Sequence, residues 1–126
     1  MKKVFSALLV CSSVMFAEVK LSPIYSKCVD KSGGATYLML ECNEKEYKVQ
    51  DGKLNKTYKL LISKFDNQRK ASLKNVQRLW VQYKEAKCGF YYGLSGGTMD
   101  AVNSSSCTVE ETALRAQELE DIAGMM

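Results

Sequence analysis

Two groups of residues in this chain have types and spacings with chemical meaning: the cysteines Cys11, Cys28, Cys42, Cys88 and Cys107, and Gly93-Leu94-Ser95-Gly96-Gly97, a literal GxSxG. A nucleophile elbow needs a strand before its serine, a helix after it and a histidine base. The sequence contains no histidine, so the stretch reads as a glycine-rich turn. A cysteine nucleophile needs a thiolate, stabilised by a helix-start CxxC or a histidine neighbour, and neither is present. The same two absences argue against a zinc site. Glu110-Glu111 and Glu120-Asp121 are adjacent carboxylates with no aromatic cleft around them. On a short solvent-facing helix they read as capping and solvated charge, not as a glycosidase pair. No catalytic residue, metal or cofactor is therefore expected.

The cysteines make better sense as staples, because the chain begins like an exported protein. Lys2 and Lys3 precede an apolar run from Val4 to Phe16, followed by Ala17. The run is shorter than the roughly twenty residues of a membrane span, and no later segment is apolar enough to cross. Cleavage is expected after Ala17, although Met15 is bulky for the position three residues upstream. Cys11 offers a rival, a lipoprotein cysteine after Leu8-Leu9-Val10. Val10 stands where a small residue is usual and the apolar run continues past the cysteine, so a lipid anchor is not expected. Residues 18–126 then form one domain with four cysteines, an even count that suits two disulfides outside the cytoplasm.

Four cysteines allow three pairings. On one straight helix Cys28 and Cys42 would lie about 20 Å apart, too far to bridge. Gly33-Gly34 supplies a turn between them, and Gly89, Gly93 and Gly96-Gly97 supply turns between Cys88 and Cys107. Cys28 with Cys42 and Cys88 with Cys107 are the favoured pairs, each worth about 3 kcal/mol by loop-closure entropy.

The elements that position these groups are helical. Leu40, Tyr47, Leu54, Tyr58, Leu61 and Phe65 recur at sevens, fours and threes, which predicts a long helix from Thr36, its N-cap, to Phe65. Gly52 is a candidate kink. After Asp66-Asn67, Leu73, Val76, Leu79, Trp80, Tyr83 and Ala86 predict a second helix, folded back on the first as an antiparallel hairpin with Trp80 at the centre of the seam. Residues 89–106 lose all periodicity and read as an exposed loop. Thr108 and Glu111 form a capping box that opens a shorter C-terminal helix through Leu114, Leu119 and Ile122 to Gly124. Pro23 reads as part of an extended segment. The fold class is thus all-α: a long-helix hairpin, a shorter third helix and two disulfides.

Charge divides the chain. Residues 45–87 hold twelve Lys or Arg against four acids, whereas 88–126 hold one Arg against six acids. Export and the lack of aromatics interleaved among the lysines argue against nucleic acid as a partner, and solvated helix faces explain the basic hairpin.

The order Asp51, Leu54-Asn55, Tyr58, then Leu73, Gln77-Arg78, Trp80, Tyr83 and Cys88, then Gly96-Gly97, Cys107, Thr112 and Arg115 resembles the LprI-type lysozyme inhibitor domain. Cys28, Thr36 and Cys42 also fit its upstream part. Tyr83-Lys84-Glu85 departs from the aromatic-Arg-Asp common in such domains, and Gly52 is unusual in the first helix. The resemblance implies an exported helical domain, lipid-anchored in some members, that inhibits lysozyme and protects the cell wall. It also singles out Leu54, Asn55, Tyr58, Gln77, Trp80, Tyr83 and Arg115, which are expected to be structural: Asn55, Gln77 and Arg115 bridging helices, and the aromatics, with Tyr47, in the core.

For binding, Tyr91 and Tyr92 beside Ser95, Thr98 and Asp100 have a composition suited to a protein partner. Lysozymes are commonly basic, so Asp100 and Glu110 are expected on the approaching face. The expected function is a periplasmic or secreted inhibitor of lysozyme-type muramidases acting by occlusion. A non-inhibitory envelope interaction module is the alternative.

Overall fold

The computed structural model describes residues 18–126. The expected signal segment, its cleavage point and Cys11 lie outside the described residues. Four helices follow one another: α1 (Pro23–Lys31), α2 (Thr36–Lys64), α3 (Asn67–Gly89) and α4 (Met99–Gly124). The all-α class, the long helices and both disulfides agree with the sequence reading.

Several boundaries differ from it. Pro23 opens α1 instead of lying in extended chain, since the N–H that proline lacks would have no partner in the first helical turn anyway and the ring presets φ. Gly33 and Gly34, at φ 58° and 81°, then reverse the chain in a conformation that disfavours other residues. Ala35, with extended backbone, precedes α2, so Thr36 lies inside its first turn and is not the N-cap. Gly52 does not interrupt α2, which continues unbroken for 29 residues. Asp66 caps α3 by accepting the Arg69 N–H at 2.7 Å.

The largest correction concerns α4. It has 26 residues against 23 in α3, so it is not the shorter helix, and residues 99–106 belong to it and not to the loop. Thr108 and Glu111 are therefore interior positions. Thr108 Oγ1 donates back to the Ser104 carbonyl at 3.2 Å, and Glu111 reaches Lys87 on α3.

Long-range hydrogen bonds fix the topology. Thr36 meets Thr98, and Asn43 meets Ser105 and Ser106, at separations of 62 or 63 residues, so α2 and α4 run parallel and in register. Cys88 with Cys107 and Gln77 with Arg115 pair α3 with α4 in opposite directions. The hairpin of α2 and α3 is present, but α4 packs along α2 and against α3, and the two hairpin helices have little direct backbone contact. Small residues on α4, including Ala113 and Ala116, permit this approach.

The apolar core collects Leu54, Leu61, Leu73, Ala116 and Leu119, with Tyr58, Phe65, Trp80 and Ile122 partly buried around it. Trp80 sits at the edge of this cluster, with the Lys84 Nζ 4.9 Å from its ring centroid. Tyr83, expected in the core, is exposed, as are Val76 and Leu79, because α3 meets α4 on one side only.

Candidate functional site

Away from the apolar core, toward the N-terminal ends of α2 and α4, polar side chains take over. Asn43 is buried, donates through Nδ2 to the Ser105 hydroxyl at 2.6 Å and to Ser106 at 3.1 Å, and accepts from the Tyr25 hydroxyl at 2.6 Å. One side chain thereby ties α1, α2 and α4. Burial pushes the Tyr25 hydroxyl above its ordinary pKa, and Glu110 and Glu46 add to this against an opposing hydrogen bond with Ser106. One turn along α2, the buried Glu46 carboxylate accepts the Ser22 N–H, the Ser22 hydroxyl and Gln50 Nε2. Burial alone raises this carboxyl. The hydrogen bonds from Ser22 and Gln50, with Lys53, outweigh it and hold Glu46 below the usual glutamate range.

The Cys28–Cys42 disulfide, with Cα atoms 5.8 Å apart, joins α1 to α2 at this same end. Cys88–Cys107, at 5.4 Å, joins the last turn of α3 to α4. Between α3 and α4 runs a loop, residues 90–98, whose base this second disulfide fixes. Backbone bonds from Tyr91 N to Cys88 O, Tyr92 N to Gly89 O and Leu94 N to Tyr91 O coil its first half. Gly93 and Gly96, at φ 76° and 81°, allow the reversals.

Asp100 organises the second half. Its buried carboxylate accepts the Ser95 N–H at 2.8 Å, the Gly96 N–H at 2.9 Å and the Ser95 hydroxyl at 2.7 Å. The hydrogen bond from the Ser95 hydroxyl is the leading cause of a carboxyl held below the usual aspartate range. The Ser95 of the GxSxG stretch is thus a donor to a loop-fixing carboxylate.

What the loop presents is apolar. Phe90, Tyr92 and Leu94 are 69%, 73% and 58% exposed, and Phe90 meets Tyr91 edge-on with centroids 6.1 Å apart. Beside it a groove of about 260 Å³ is lined by Lys87, Tyr91, Asn103, Ser106, Glu110 and Glu111 along the second disulfide. The ion pair with Glu111 raises the Lys87 pKa and pins its ammonium, whose Nζ also lies 5.8 Å from the Tyr83 ring centroid.

The residues singled out by sequence separate on this frame. Tyr91, Tyr92, Ser95 and Glu110 are exposed at the loop and groove. Asp100 is buried and turned toward its own loop, so it is not on an approaching face. The exposed acids of α4 are Glu110, Glu118, Glu120 and Asp121. Leu54 and Tyr58 pack in and on the core. Gln77 accepts from Arg115 Nε at 3.0 Å and bridges α3 to α4 as expected. Asn55 is exposed and donates only to Asp51 on its own helix at 3.0 Å, so it bridges nothing. Sequence reasoning missed Phe90, Leu94, Asn43, Glu46 and the Lys87–Glu111 pair. A signal existed for Asn43 and Glu46: with Gln50, Leu54, Thr57 and Leu61 they continue one helical face at steps of three and four. Among the described residues no group of three or more His, Cys, Asp or Glu could hold a metal ion, and no helix is long and apolar enough to cross a membrane.

No solved structure matches the chain. An uncharacterized protein of Rhizobium meliloti (strain 1021) is 28% identical over 95 residues, which cover 64% of this chain and 68% of the relative. The family model described as lysozyme inhibitor LprI matches residues 28–119, from the first disulfide cysteine to the last buried leucine of α4. By that match, which covers most of the described chain, the chain belongs to the LprI lysozyme inhibitor family.

Proposed function

We propose that the protein is an exported, non-catalytic inhibitor of lysozyme-type muramidases and that the 90–98 loop is its contact surface. The observation that carries this reading is the cluster of exposed Phe90, Tyr92 and Leu94 on a loop fixed by a disulfide and by the buried Asp100 carboxylate. Large apolar side chains on a short ordered loop are the usual anchors of a protein interface. Holding them in place before binding lowers the entropy lost on association. The groove beside the loop adds polar partners in Glu110, Asn103 and Tyr91. Glu110 in the groove supplies attraction for a basic muramidase, and the groove's one lysine, Lys87, is paired with Glu111. The two disulfides fit a protein that works outside the cytoplasm after cleavage near Ala17.

The test is a turbidity assay of cell-wall lysis by a panel of muramidases. Micromolar protein should protect the walls against at least one enzyme. Replacing both Phe90 and Tyr92 with Ser should weaken protection at least tenfold while leaving the helical spectrum unchanged. Full protection by the double variant would remove the loop from the interface, and failure to protect against any enzyme would favour a non-inhibitory envelope module.

A further inference from the structure

The groove beside the stapled loop has three sides: Lys87 from the last turn of α3, Tyr91 from the loop, and one face of α4 along the Cys88–Cys107 disulfide. Asn103, Ser106 and Glu110 follow one another on α4 at steps of three and four, which places all three side chains on that face. Two of these walls are held before any partner arrives. The Tyr91 N–H donates to the Cys88 carbonyl at 3.2 Å, and Ser106 Oγ accepts from the buried Asn43 at 3.1 Å.

The charges in the groove do not cancel. Lys87 is its one cation, and the buried Glu111 holds that ammonium in an ion pair. Glu110 is left over. It is exposed and makes no ion pair among the described residues. The groove therefore carries one net negative charge, on a carboxylate whose neighbours are an amide, Asn103, two hydroxyls, Ser106 and Tyr91, and the Tyr91 ring. Each of these neutral groups has an oxygen that can accept a hydrogen bond.

We propose that this groove takes an arginine side chain of the muramidase, anchored on the Glu110 carboxylate. The proposal rests on the reading of the 90–98 loop as the contact surface and gives the groove next to it an occupant. A guanidinium presents its donors in a planar fork that one carboxylate accepts two at a time, and its flat face stacks on an aromatic ring. Glu110 supplies the first partner and Tyr91 the second, and the oxygens of Asn103 and Ser106 take donors that remain. A lysine ammonium is a compact, strongly hydrated charge and uses less of this set. Because Tyr91 belongs to both loop and groove, a partner seated on Phe90 and Tyr92 lies at the groove's edge.

Two measurements on the full protein test this, and the first needs no muramidase. The Nα-acetyl amide of arginine, at millimolar concentration, should shift the backbone amides of Asn103, Ser106 and Glu110 and leave those around Glu120 unmoved. The corresponding citrulline compound, its uncharged isostere, should shift none of them, and the lysine compound should bind at least threefold more weakly than arginine. Glu110→Gln, at an exposed position, should abolish the arginine shifts with an unchanged melting temperature. The second measurement is calorimetry with a muramidase that the protein inhibits. Glu110→Gln should weaken binding at least tenfold, and Glu120→Gln, the same charge change on the same helix outside the groove, less than twofold. Equal shifts from arginine and citrulline, shifts that survive Glu110→Gln, or equal weakening by the two variants would each overturn the proposal. The arginine shifts are read without any enzyme, so the groove and the inhibitory reading stand or fall separately.

Discussion

Replacing Glu46 with Gln tests the polar layer that ties the N-terminal segment to the helices. Glu46 is 3% exposed and accepts three hydrogen bonds, two from Ser22 and one from Gln50. A glutamine keeps the volume and an acceptor for the Ser22 and Gln50 N–H groups. Its amide can donate to the Ser22 hydroxyl, so the network persists without charge. Hydrogen bonds to an ionised group are worth about 1 kcal/mol more apiece than neutral ones, and three coupled bonds add less than fully. The variant should thus lose about 2 kcal/mol at pH 7, a fall in melting temperature on the order of 10 °C for a domain this size.

The pH dependence is the sharper reading. The folded Glu46 carboxyl titrates below its unfolded value, so its stabilisation is present above about pH 4.3 and is lost as pH falls through the folded pKa. The glutamine variant has nothing to lose there. Denaturant unfolding of both proteins from pH 7 to pH 3 should show a gap that narrows as the solution becomes acid. Asp100 and Glu41, whose carboxyls are also held low, are present in both proteins and cancel in the difference. A gap that stays constant down to pH 3 would refute the ionised-acceptor account.

Three further outcomes are expected. Changing Cys88 and Cys107 together to Ser opens a twenty-residue loop and should remove about 3 kcal/mol by chain entropy, with muramidase protection lost even where the protein remains folded. Asp100→Ala should free the Ser95 and Gly96 amides to exchange rapidly with solvent while the amides of α2 keep their protection, readable by hydrogen exchange. Gly52→Ala should stabilise by about 0.5–1 kcal/mol in denaturant unfolding, since Gly52 is exposed mid-helix and an added Cβ meets nothing within 4 Å.

The cysteine pairs and the α2–α3 boundary were legible because their signals are local: an even cysteine count with glycine turns between the members, and Asp66-Asn67 standing between two apolar periodicities. The buried face of α2 was harder to read. Apolar periodicity selects Leu40, Tyr47, Leu54, Tyr58, Leu61 and Phe65, yet the buried residues are Cys42, Asn43, Glu46, Gln50, Leu54, Thr57 and Leu61. Hydrophobic periodicity registers only residues buried against other apolar groups, and three of these seven, Asn43, Glu46 and Gln50, are buried against hydrogen-bond partners. The start of α4 was hidden similarly. Asn103 and Ser104 to Ser106 are weak helix formers, but Ser105 and Ser106 are there to meet Asn43 at close range. At the loop the tyrosines were readable from composition, whereas the burial of Asp100 was not. A carboxylate beside glycines suggests solvent until the turn that aims it inward is known.

These features divide the molecule into two ends held by different forces. From Leu54 onward α2 packs on α4 through leucines and alanines, and hydrophobic burial suffices. Toward Thr36 the same two helices meet through Asn43 with Ser105 and Ser106, while Glu46 ties in Ser22, and such hydrogen bonds replace bonds to water and stabilise far less per residue. Both disulfides lie at that polar end. A cross-link acts mainly by restricting the unfolded chain and does not require apolar surface to be buried in the folded one. The stapled end is therefore free to leave Phe90, Tyr92 and Leu94 in solvent, where a core built on burial would have drawn them in. The exposure of the loop and the oxidation of Cys88 and Cys107 are thus one property of the sequence, and the leucine core at the other end neither supplies it nor depends on it.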